Sequence, residues 1–169
     1  MIEPMPREII NWSILEEIIY MDEDDPDFSK RLASQFVVQA DTTFAEISEE
    51  LKTNKNLEEL EKLGHFLKGS AAALGLQRIA WACERIQNLS RKVEKTFPTK
   101  EELLSTLPEG TQIFDIDMKI YDDLNNGTPP TTDGDELYLF LIKRALAQAY
   151  LEFQLARNEL SVYYHDYLY

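Results

Sequence analysis

The distribution of proline is the feature that most constrains the fold of this chain. The seven prolines among 169 residues stand at positions 4, 6, 26, 98, 108, 129 and 130, so the stretches 27–97 and 131–169 contain none. Because proline breaks an α-helix in its interior, both stretches are free to form long helices. Apolar residues recur along them at spacings of three and four, and no alternating strand pattern competes. The chain is therefore predicted to be all-α.

Local signals divide these stretches into helices. Ser13 begins a capping-box pattern for a short helix to about Met21, and Asp25-Pro26 suits the start of the next helix. A third helix is predicted over 57–74 before Gly75, a fourth over 77–95, and a last one around 139–163. We predict an antiparallel four-helix bundle with a short extra N-terminal helix and an acidic loop before the last long helix.

The charge pattern limits the possible partners. The net charge is -14, with five acids in 22–27 and ten acids against one base in 101–136. This balance disfavours nucleic acid or an anionic membrane as a partner. Segment 97–134 is rich in Pro, Thr, Asp, Asn and Gly, and we interpret it as an acidic, flexible insertion within a single domain, 1–169. By contrast, segment 51–95 has nine Lys or Arg against five Glu, so it could tolerate an added negative group.

Other features suggest a protein that stays inside the cell. The chain has one cysteine, its N-terminus lacks an export pattern, and no apolar run approaches the roughly 20 residues that cross a bilayer. Cys83 shares an apolar stripe with Ile79 and Ile86, which predicts a small buried side chain rather than a nucleophile. The spacing of the two histidines and the single cysteine predicts no metal site.

His65 lies on the unexpected side of the third predicted helix. At 100° per residue, the apolar stripe of that helix falls within about 60° of the position opposite His65. Lys68 and Gly69 lie on the same face as His65, and Gly64 and Gly69 each cost about 1 kcal/mol relative to alanine inside a helix. Close approach of another molecule to the histidine would explain both glycines. A neutral, exposed imidazole can act as a nucleophile, and Lys68 could balance a phosphoryl group on it.

The run His65-Phe66-Leu67-Lys68-Gly69-Ser70 resembles the H-x-L-K-G-S/A signature of histidine-containing phosphotransfer (HPt) domains. The wider segment 57–92, together with EIINWSILEEII and MDEDDPDFSK, is similar to fungal HPt proteins of the osmosensing phosphorelay. The similarity extends over nearly the whole chain except 97–134.

This resemblance implies a phosphorelay intermediate rather than an enzyme. His65 would accept a phosphoryl group from an aspartyl phosphate in the receiver domain of a hybrid sensor histidine kinase, and would pass it to an aspartate of a downstream response regulator. The HPt chain would need no cofactor, because Mg²⁺ belongs to the receiver domain. The resemblance also implies a monomer in cytoplasm and nucleus that acts in the osmotic stress response.

The resemblance suggests supporting and docking residues as well. Lys68 would balance the phosphohistidine charge, Gly69 would leave room for the receiver, and Gln87 and Arg91 could orient the imidazole, although ordinary surface polar residues are as good an explanation for the last two. The apolar arc of the first helix is wider than one buried stripe needs, so part of it could bind a receiver. The candidate docking residues are Ile14, Glu17, Ile18, Met21, Asp22, Asp24, Leu32, Gln35, Gln39, Phe66 and Ser70.

Two other functions remain open from the sequence. The first is an adaptor that binds receiver domains through the same bundle while His65 is never phosphorylated. The second is a small hydrolase with His65 as general base. Ser70 lies about 140° from His65 around the helix and Cys83 is predicted to be buried, so the hydrolase lacks a nucleophile and ranks last.

Overall fold

The computed structural model describes residues 3–169, so the first two residues of the predicted domain lie outside it. Within that range the chain forms seven α-helices and one 3₁₀ turn, Tyr20–Glu23, with no β-strand. The helices are α1 (Trp12–Ile19), α2 (Phe28–Lys52), α3 (Leu57–Ala73), α4 (Gln77–Ser90), α5 (Lys100–Leu104), α6 (Asp115–Leu124) and α7 (Asp135–Tyr164).

The four long helices α2, α3, α4 and α7 form the bundle. Helix α3 packs against α4 and α2, and α7 packs against α4 and α2, which closes the ring of four. Leu60 and Leu67 of α3, Ile79 and Ile86 of α4 and Phe153 of α7 are almost completely buried between them. The predicted four-helix bundle is confirmed, and burial of these stripes supplies its main stabilisation.

The first two helices begin at residues other than those predicted, α1 earlier and α2 later. Asn11, not Ser13, caps α1, because its side chain accepts a hydrogen bond from the Ser13 backbone N–H at 3.1 Å. Helix α2 begins at Phe28 rather than at Pro26. Its first turn is satisfied by Asp22, whose carboxylate accepts bonds from the backbone N–H and the hydroxyl of Ser29 at 2.8 and 2.7 Å.

The turn between α3 and α4 fixes the position of α1. Gly75 has the left-handed φ of +78° that its predicted role at the end of α3 requires. Its carbonyl accepts a hydrogen bond from the Asn11 N–H at 2.8 Å, and an added Cβ would lie 2.6 Å from the Asn11 carbonyl oxygen. Helix α4 ends at Ser90, short of the predicted Lys95, so Val93 lies beyond the helix and is exposed.

Segment 97–134 differs from the predicted loop. It contains α5 and α6, with Leu103 and Tyr121 buried, and α6 packs against α7. Lys100 of α5 also pairs with Asp122 of α6 at 2.7 Å. The apolar residues that dock these helices are few and widely spaced, which is why they give no periodic signal in the sequence.

A buried polar network joins this segment to the bundle. Arg78 of α4 makes two bonds to Glu152 of α7, Nε–Oε1 at 2.7 Å and Nη2–Oε2 at 2.9 Å, and its Nη1 also donates to the Thr106 hydroxyl at 3.0 Å. Gln148 donates to Glu152 Oε2 at 2.6 Å and accepts from the Tyr121 hydroxyl at 2.8 Å. The network therefore connects α4, α6, α7 and the residues after α5 in the interior of the protein.

Candidate functional site

His65 lies in the middle of α3, with its side chain in solvent. Asn56 caps this helix by accepting hydrogen bonds from the N–H groups of Glu58 and Glu59 at 3.0 and 3.3 Å. Leu60 and Leu67 face the core with no exposed surface, whereas His65 is exposed. The predicted orientation of His65, away from the core, is confirmed. Its imidazole is accessible to another macromolecule.

The two glycines of α3 have different reasons for being there. A Cβ on Gly69 would find no other atom within 4 Å, so the surface next to His65 is bare. A Cβ on Gly64 would lie 3.0 Å from Ile86 Cγ2, 3.1 Å from the Cys83 oxygen and 3.2 Å from the Gln87 nitrogen. Gly64 is buried and lets α3 approach α4 closely. The expectation that both glycines make room for a partner is therefore wrong for Gly64.

Lys68 is one turn beyond His65 and is held by α4. Its Nζ lies 3.2 Å from Oε1 of Glu84, whose Oε2 accepts a hydrogen bond from Arg85 at 2.9 Å. Partial burial acts to raise the pKa of Glu84, but the hydrogen bond and charge of Lys68 and the charge of Arg85 outweigh it and leave the pKa below its ordinary value. Lys68 keeps about a third of its side chain exposed, so a new anion near His65 could reach it.

Gln87 and Arg91 lie on the α4 side of the same region. The Gln87 backbone borders Gly64, the residue before His65. Arg91 Nε is 3.7 Å from Oε1 of Glu61, which precedes His65 by one turn of α3. The structure thus brings Gln87 and Arg91 to the α3–α4 boundary that flanks His65, with Arg91 held by an ion pair to α3.

The docking candidates divide into exposed and packed residues. Ile14, Met21 and Phe66 have 38%, 53% and 50% of their surface exposed, whereas Ile18 and Leu32 are half-buried and pack against the core. The polar residues that remain exposed in this group are Glu17, Asp24, Gln35 and Gln39.

Two polar residues of that group have partners within the chain. Asp22 binds the start of α2 through Ser29. The Ser70 hydroxyl donates to the Phe66 carbonyl at 3.2 Å, as a serine within a helix commonly does. Neither side chain is free of an internal role.

Comparison with known proteins identifies the family. The Hpt domain family matches residues 31–112. The phosphorelay intermediate protein YPD1 of Saccharomyces cerevisiae is 56% identical over 161 residues, which cover 95% of this chain and 96% of YPD1. The chain belongs to the Hpt family.

Solved structures agree with this assignment to the Hpt family. A crystal structure of yeast Ypd1p has a TM-score of 0.87 and 53% identity, and the match covers 98% of this chain and all of that one, 100%. A second similar structure is a co-crystal of the Saccharomyces cerevisiae Ypd1 protein with the receiver domain of its downstream response regulator Ssk1, with a TM-score of 0.82 and 55% identity. The expected fold and the expected function as a phosphorelay intermediate are confirmed.

Two side chains near the Hpt site were missed by the sequence analysis. Glu84 and Glu61 hold Lys68 and Arg91, respectively, in this structure. Glu84 precedes Gln87 by three residues and Arg91 by seven, so the helical period places all three on one face of α4. That spacing was a usable signal for Glu84. Glu61 stands four residues before His65, which places it on the same face of α3, but its ion pair with Arg91 of another helix gives no signal in the sequence.

Three further properties of the Hpt chain concern its cysteine, its possible metal ligands and the apolar character of its helices. Cys83 is buried as predicted, and its burial raises the pKa of the thiol to about 12, which keeps it protonated at neutral pH. Residues 3–169 contain no group of three or more His, Cys, Asp or Glu side chains arranged to hold a metal ion. Among the helices of that range, none combines the length and the apolar character needed to cross a membrane.

Proposed function

We propose that His65 is the residue that carries the phosphoryl group in this phosphorelay intermediate. One observation carries the proposal: the exposed imidazole of His65 has the bare surface of Gly69 on one side and the partly exposed side chain of Lys68 one turn away. A receiver domain can approach such a surface closely, and the lysine can balance the added charge. His65 is thus accessible to a receiver domain, and Lys68 places a positive charge near the position of the phosphoryl group.

The transfer requires one bond to form and one to break. A lone pair on an imidazole nitrogen of His65 attacks the phosphorus of an aspartyl phosphate in a receiver domain. The bond between phosphorus and the aspartate oxygen breaks, and the carboxylate leaves with its electron pair. The reverse reaction on a second receiver passes the phosphoryl group onward. Such transfers depend chiefly on positioning and on stabilising charge, which is why a carrier without its own catalytic centre suffices.

Lys68 exchanges partners during this cycle. In the unphosphorylated protein it pairs with Glu84, which keeps the ammonium beside His65. A phosphoryl group on His65 brings additional negative charge to the same turn and competes with Glu84 for Lys68. Gln87 and Arg91 border the same surface and orient the imidazole and the phosphoryl group in the proposal.

The partners follow from the similarity to yeast Ypd1, which has been co-crystallised with a receiver domain. By that similarity, a hybrid sensor histidine kinase supplies the phosphoryl group and downstream response regulators receive it. The receiver domains hold the Mg²⁺, so this chain works without a cofactor of its own. We also propose that the protein is monomeric, that it is present in the cytoplasm and the nucleus, and that it acts in the osmotic stress response.

Radiolabel transfer from a phosphorylated receiver domain tests the role of His65. With Mg²⁺ present, we expect label on the wild-type protein and none on His65→Gln. The variant should unfold at the same temperature as wild type, because the side chain is exposed and makes no hydrogen bond within residues 3–169. The phosphate on the wild type should be acid-labile and alkali-stable.

The opposite result favours the adaptor. If folded wild-type protein binds several phosphorylated receivers but takes no label, the bundle binds receivers without accepting phosphate. Label that persists on His65→Gln would instead place the acceptor on another residue.

The docking residues are tested by truncating the exposed apolar side chains. We expect Phe66→Ala and Met21→Ala each to weaken receiver binding by about tenfold, since each removes exposed apolar surface from the proposed interface. Ile18→Ala should weaken binding too, with some loss of stability because Ile18 packs on the core. Ile116→Ala on α6, with 67% exposure, is the matched control and should bind normally. Unchanged affinity in both Phe66→Ala and Met21→Ala would show that the receiver domain binds at another surface.

A further inference from the structure

A second apolar surface lies away from His65, between the end of α7, the start of α1 and the residues before α6. This groove, of about 540 Å³, is lined by Trp12, Gln112, Phe114, Asn158, Glu159, Val162 and Tyr163. Phe114, Val162 and Tyr163 have 55%, 75% and 42% of their surface exposed. The exposed fractions of Phe114 and Val162 exceed those of Ile14, Met21 and Phe66 on the proposed receiver-docking face. Phosphotransfer through His65 uses none of these groove residues.

The groove and the docking face lie on different sides of α1. At 100° per residue, Trp12 is separated from Ile14 and Ile18 by about 120° to 160° around the helix. The Trp12 ring packs against Tyr163 of α7, with centroids 5.2 Å apart, so this side of α1 is fixed to the last helix. A molecule in the groove therefore leaves Ile14, Ile18 and His65 accessible to a receiver domain.

Three carboxylates lie in or next to the groove. Glu159 lines the groove, and Asp115 and Asp117 lie in the first turn of α6, directly after Phe114. None of these three carboxylates makes an ion pair with another side chain in the range 3–169. Burial raises the pKa of Glu159 and, against the opposing charge of Arg157, that of Asp117. Desolvation thus outweighs the charge of Arg157 at Asp117 and acts alone on Glu159, so an added cation would stabilise both carboxylates.

We propose that this groove binds a basic amphipathic segment of a partner protein, with apolar side chains on Trp12, Phe114 and Val162 and with lysine or arginine beside Glu159 and the first turn of α6. Charge complementarity selects this occupant. A second copy of the chain would bring a net charge of -14 to a surface that is itself acidic. A basic segment instead gains both the apolar contact and the unpaired carboxylates. The chain can then hold a receiver domain and a second partner at the same time.

The experiment uses the full chain, labelled with ¹⁵N, and two synthetic peptides as probes. Each peptide is a capped amphipathic helix of about 14 residues, or four turns, with leucines along one face; the other positions are lysine in one peptide and glutamate in its twin. The chain has two tryptophans, so two indole N–H signals report binding. Trp81 is buried with its indole N–H bonded to the Glu3 carbonyl, and it serves as an internal reference.

We expect the lysine peptide to shift the Trp12 indole signal saturably, together with backbone signals of residues 112–117 and 158–163. Val162→Asp or Phe114→Ser should weaken this binding by at least about tenfold, because each places a polar group in the apolar contact. Both positions are largely exposed, so at least one variant is expected to fold. Met21→Ala, on the docking face, should bind the lysine peptide like wild type, and the glutamate peptide should bind at least about tenfold more weakly.

Four results would overturn the proposal. Shifts centred on Ile14, Met21 and Phe66 would place the peptide on the receiver-docking face. Equal binding of the two peptides would remove the role of charge. Unchanged binding in both groove variants would show that the groove is not the contact. Concentration-dependent groove shifts without peptide, accompanied by a dimer in sedimentation equilibrium, would assign the groove to a second copy of the chain.

Discussion

The ion pairs on the two sides of α4 differ in their exposure to solvent. On one side, Glu84 and Arg91 reach ion-pair partners on α3 next to the exposed His65, and these pairs stay in contact with water. On the other side, Arg78 and Glu152 are 1% and 0% exposed and satisfy each other inside the bundle. Exposed pairs contribute little to stability and can exchange partners readily. A buried pair is costly to break, because the remaining charge has no access to water.

This difference separates the function of the protein from its stability. The His65 side can accept a phosphoryl group and release it, since Lys68 can exchange Glu84 for the new anion. The Arg78 side holds α4, α7 and the residues after α5 in one arrangement, and Gln148 extends it to Tyr121 of α6. Segment 97–134 is therefore attached through interior contacts that involve none of the exchanging residues.

The largest expected effect comes from breaking the buried pair. Arg78→Met leaves Glu152 without its cation in the interior, and we expect a loss of about 3–5 kcal/mol in the free energy of unfolding. At about 2–4 °C per kcal/mol for a chain of this size, the midpoint should fall by roughly 10 °C. Urea unfolding measures the loss. At a temperature where the variant is folded, phosphotransfer should continue, since His65 and Lys68 are unchanged.

Two controls sharpen this prediction. Arg78→Met combined with Glu152→Leu should be more stable than Arg78→Met alone, because no charge is left buried. Arg31→Met removes the exposed ion pair with Asp25, whose side chains are 52% and 54% exposed, and should leave the unfolding midpoint nearly unchanged. Similar losses in Arg31→Met and Arg78→Met would contradict the contrast between the exposed and the buried pairs.

Replacing each of the two glycines of α3 by alanine should change the free energy of unfolding by an intermediate amount, with opposite signs at the two positions. Gly64→Ala places a Cβ 3.1 and 3.2 Å from backbone atoms of Cys83 and Gln87, which cannot move without shifting α4. We expect a loss of about 1–3 kcal/mol despite the better helix propensity of alanine. Gly69→Ala meets no atom within 4 Å and should gain up to about 1 kcal/mol. Thermal unfolding of the two variants measures both changes in stability. If both variants gained stability, the contact between α3 and α4 would be able to accommodate the added Cβ of Gly64→Ala.

Most of the bundle could be predicted because its helices carry their own signal. The 3.6-residue period placed the apolar stripe of α3, to which Leu60 and Leu67 belong, in the core and His65 outside it. The proline-free stretches and Gly75 gave the order of the helices and the end of α3. The exact starts of α1 and α2 were not predictable in this way, because Asn11 and Asp22 act as caps only through the geometry of their turns.

What the sequence could not supply were contacts between distant segments. Helices α5 and α6 are short and stabilised by docking, with Tyr121 bonded to a glutamine 27 positions away. The role of Gly64 depends on the distance between α3 and α4, which no pattern within α3 reveals. The same holds for the candidate site: His65 and Lys68 share one helix and were found together, whereas Glu61 reaches its partner Arg91 across two helices.

The smallest effect is expected at the Lys68–Glu84 pair and carries a pH signature. Because Lys68 and Arg85 hold the pKa of Glu84 below 4.5, their contacts with it stabilise the fold above that pH, and this contribution is lost as the pH falls through the lowered value. Glu84→Gln should therefore cost about 0.5 kcal/mol at pH 7, discounted for solvent screening, and less at pH 3. Glu46→Gln, at an exposed carboxylate of α2 that makes no ion pair within residues 3–169, is the matched control and should show no such loss. Both variants remove one negative charge, but only Glu84→Gln removes an ion pair. Urea unfolding of both at the two pH values therefore distinguishes loss of the pair from the effect of lowering the net negative charge. A cost for Glu84→Gln that persists undiminished at low pH would mean that Glu84 acts through packing, and that Lys68 is not held by charge.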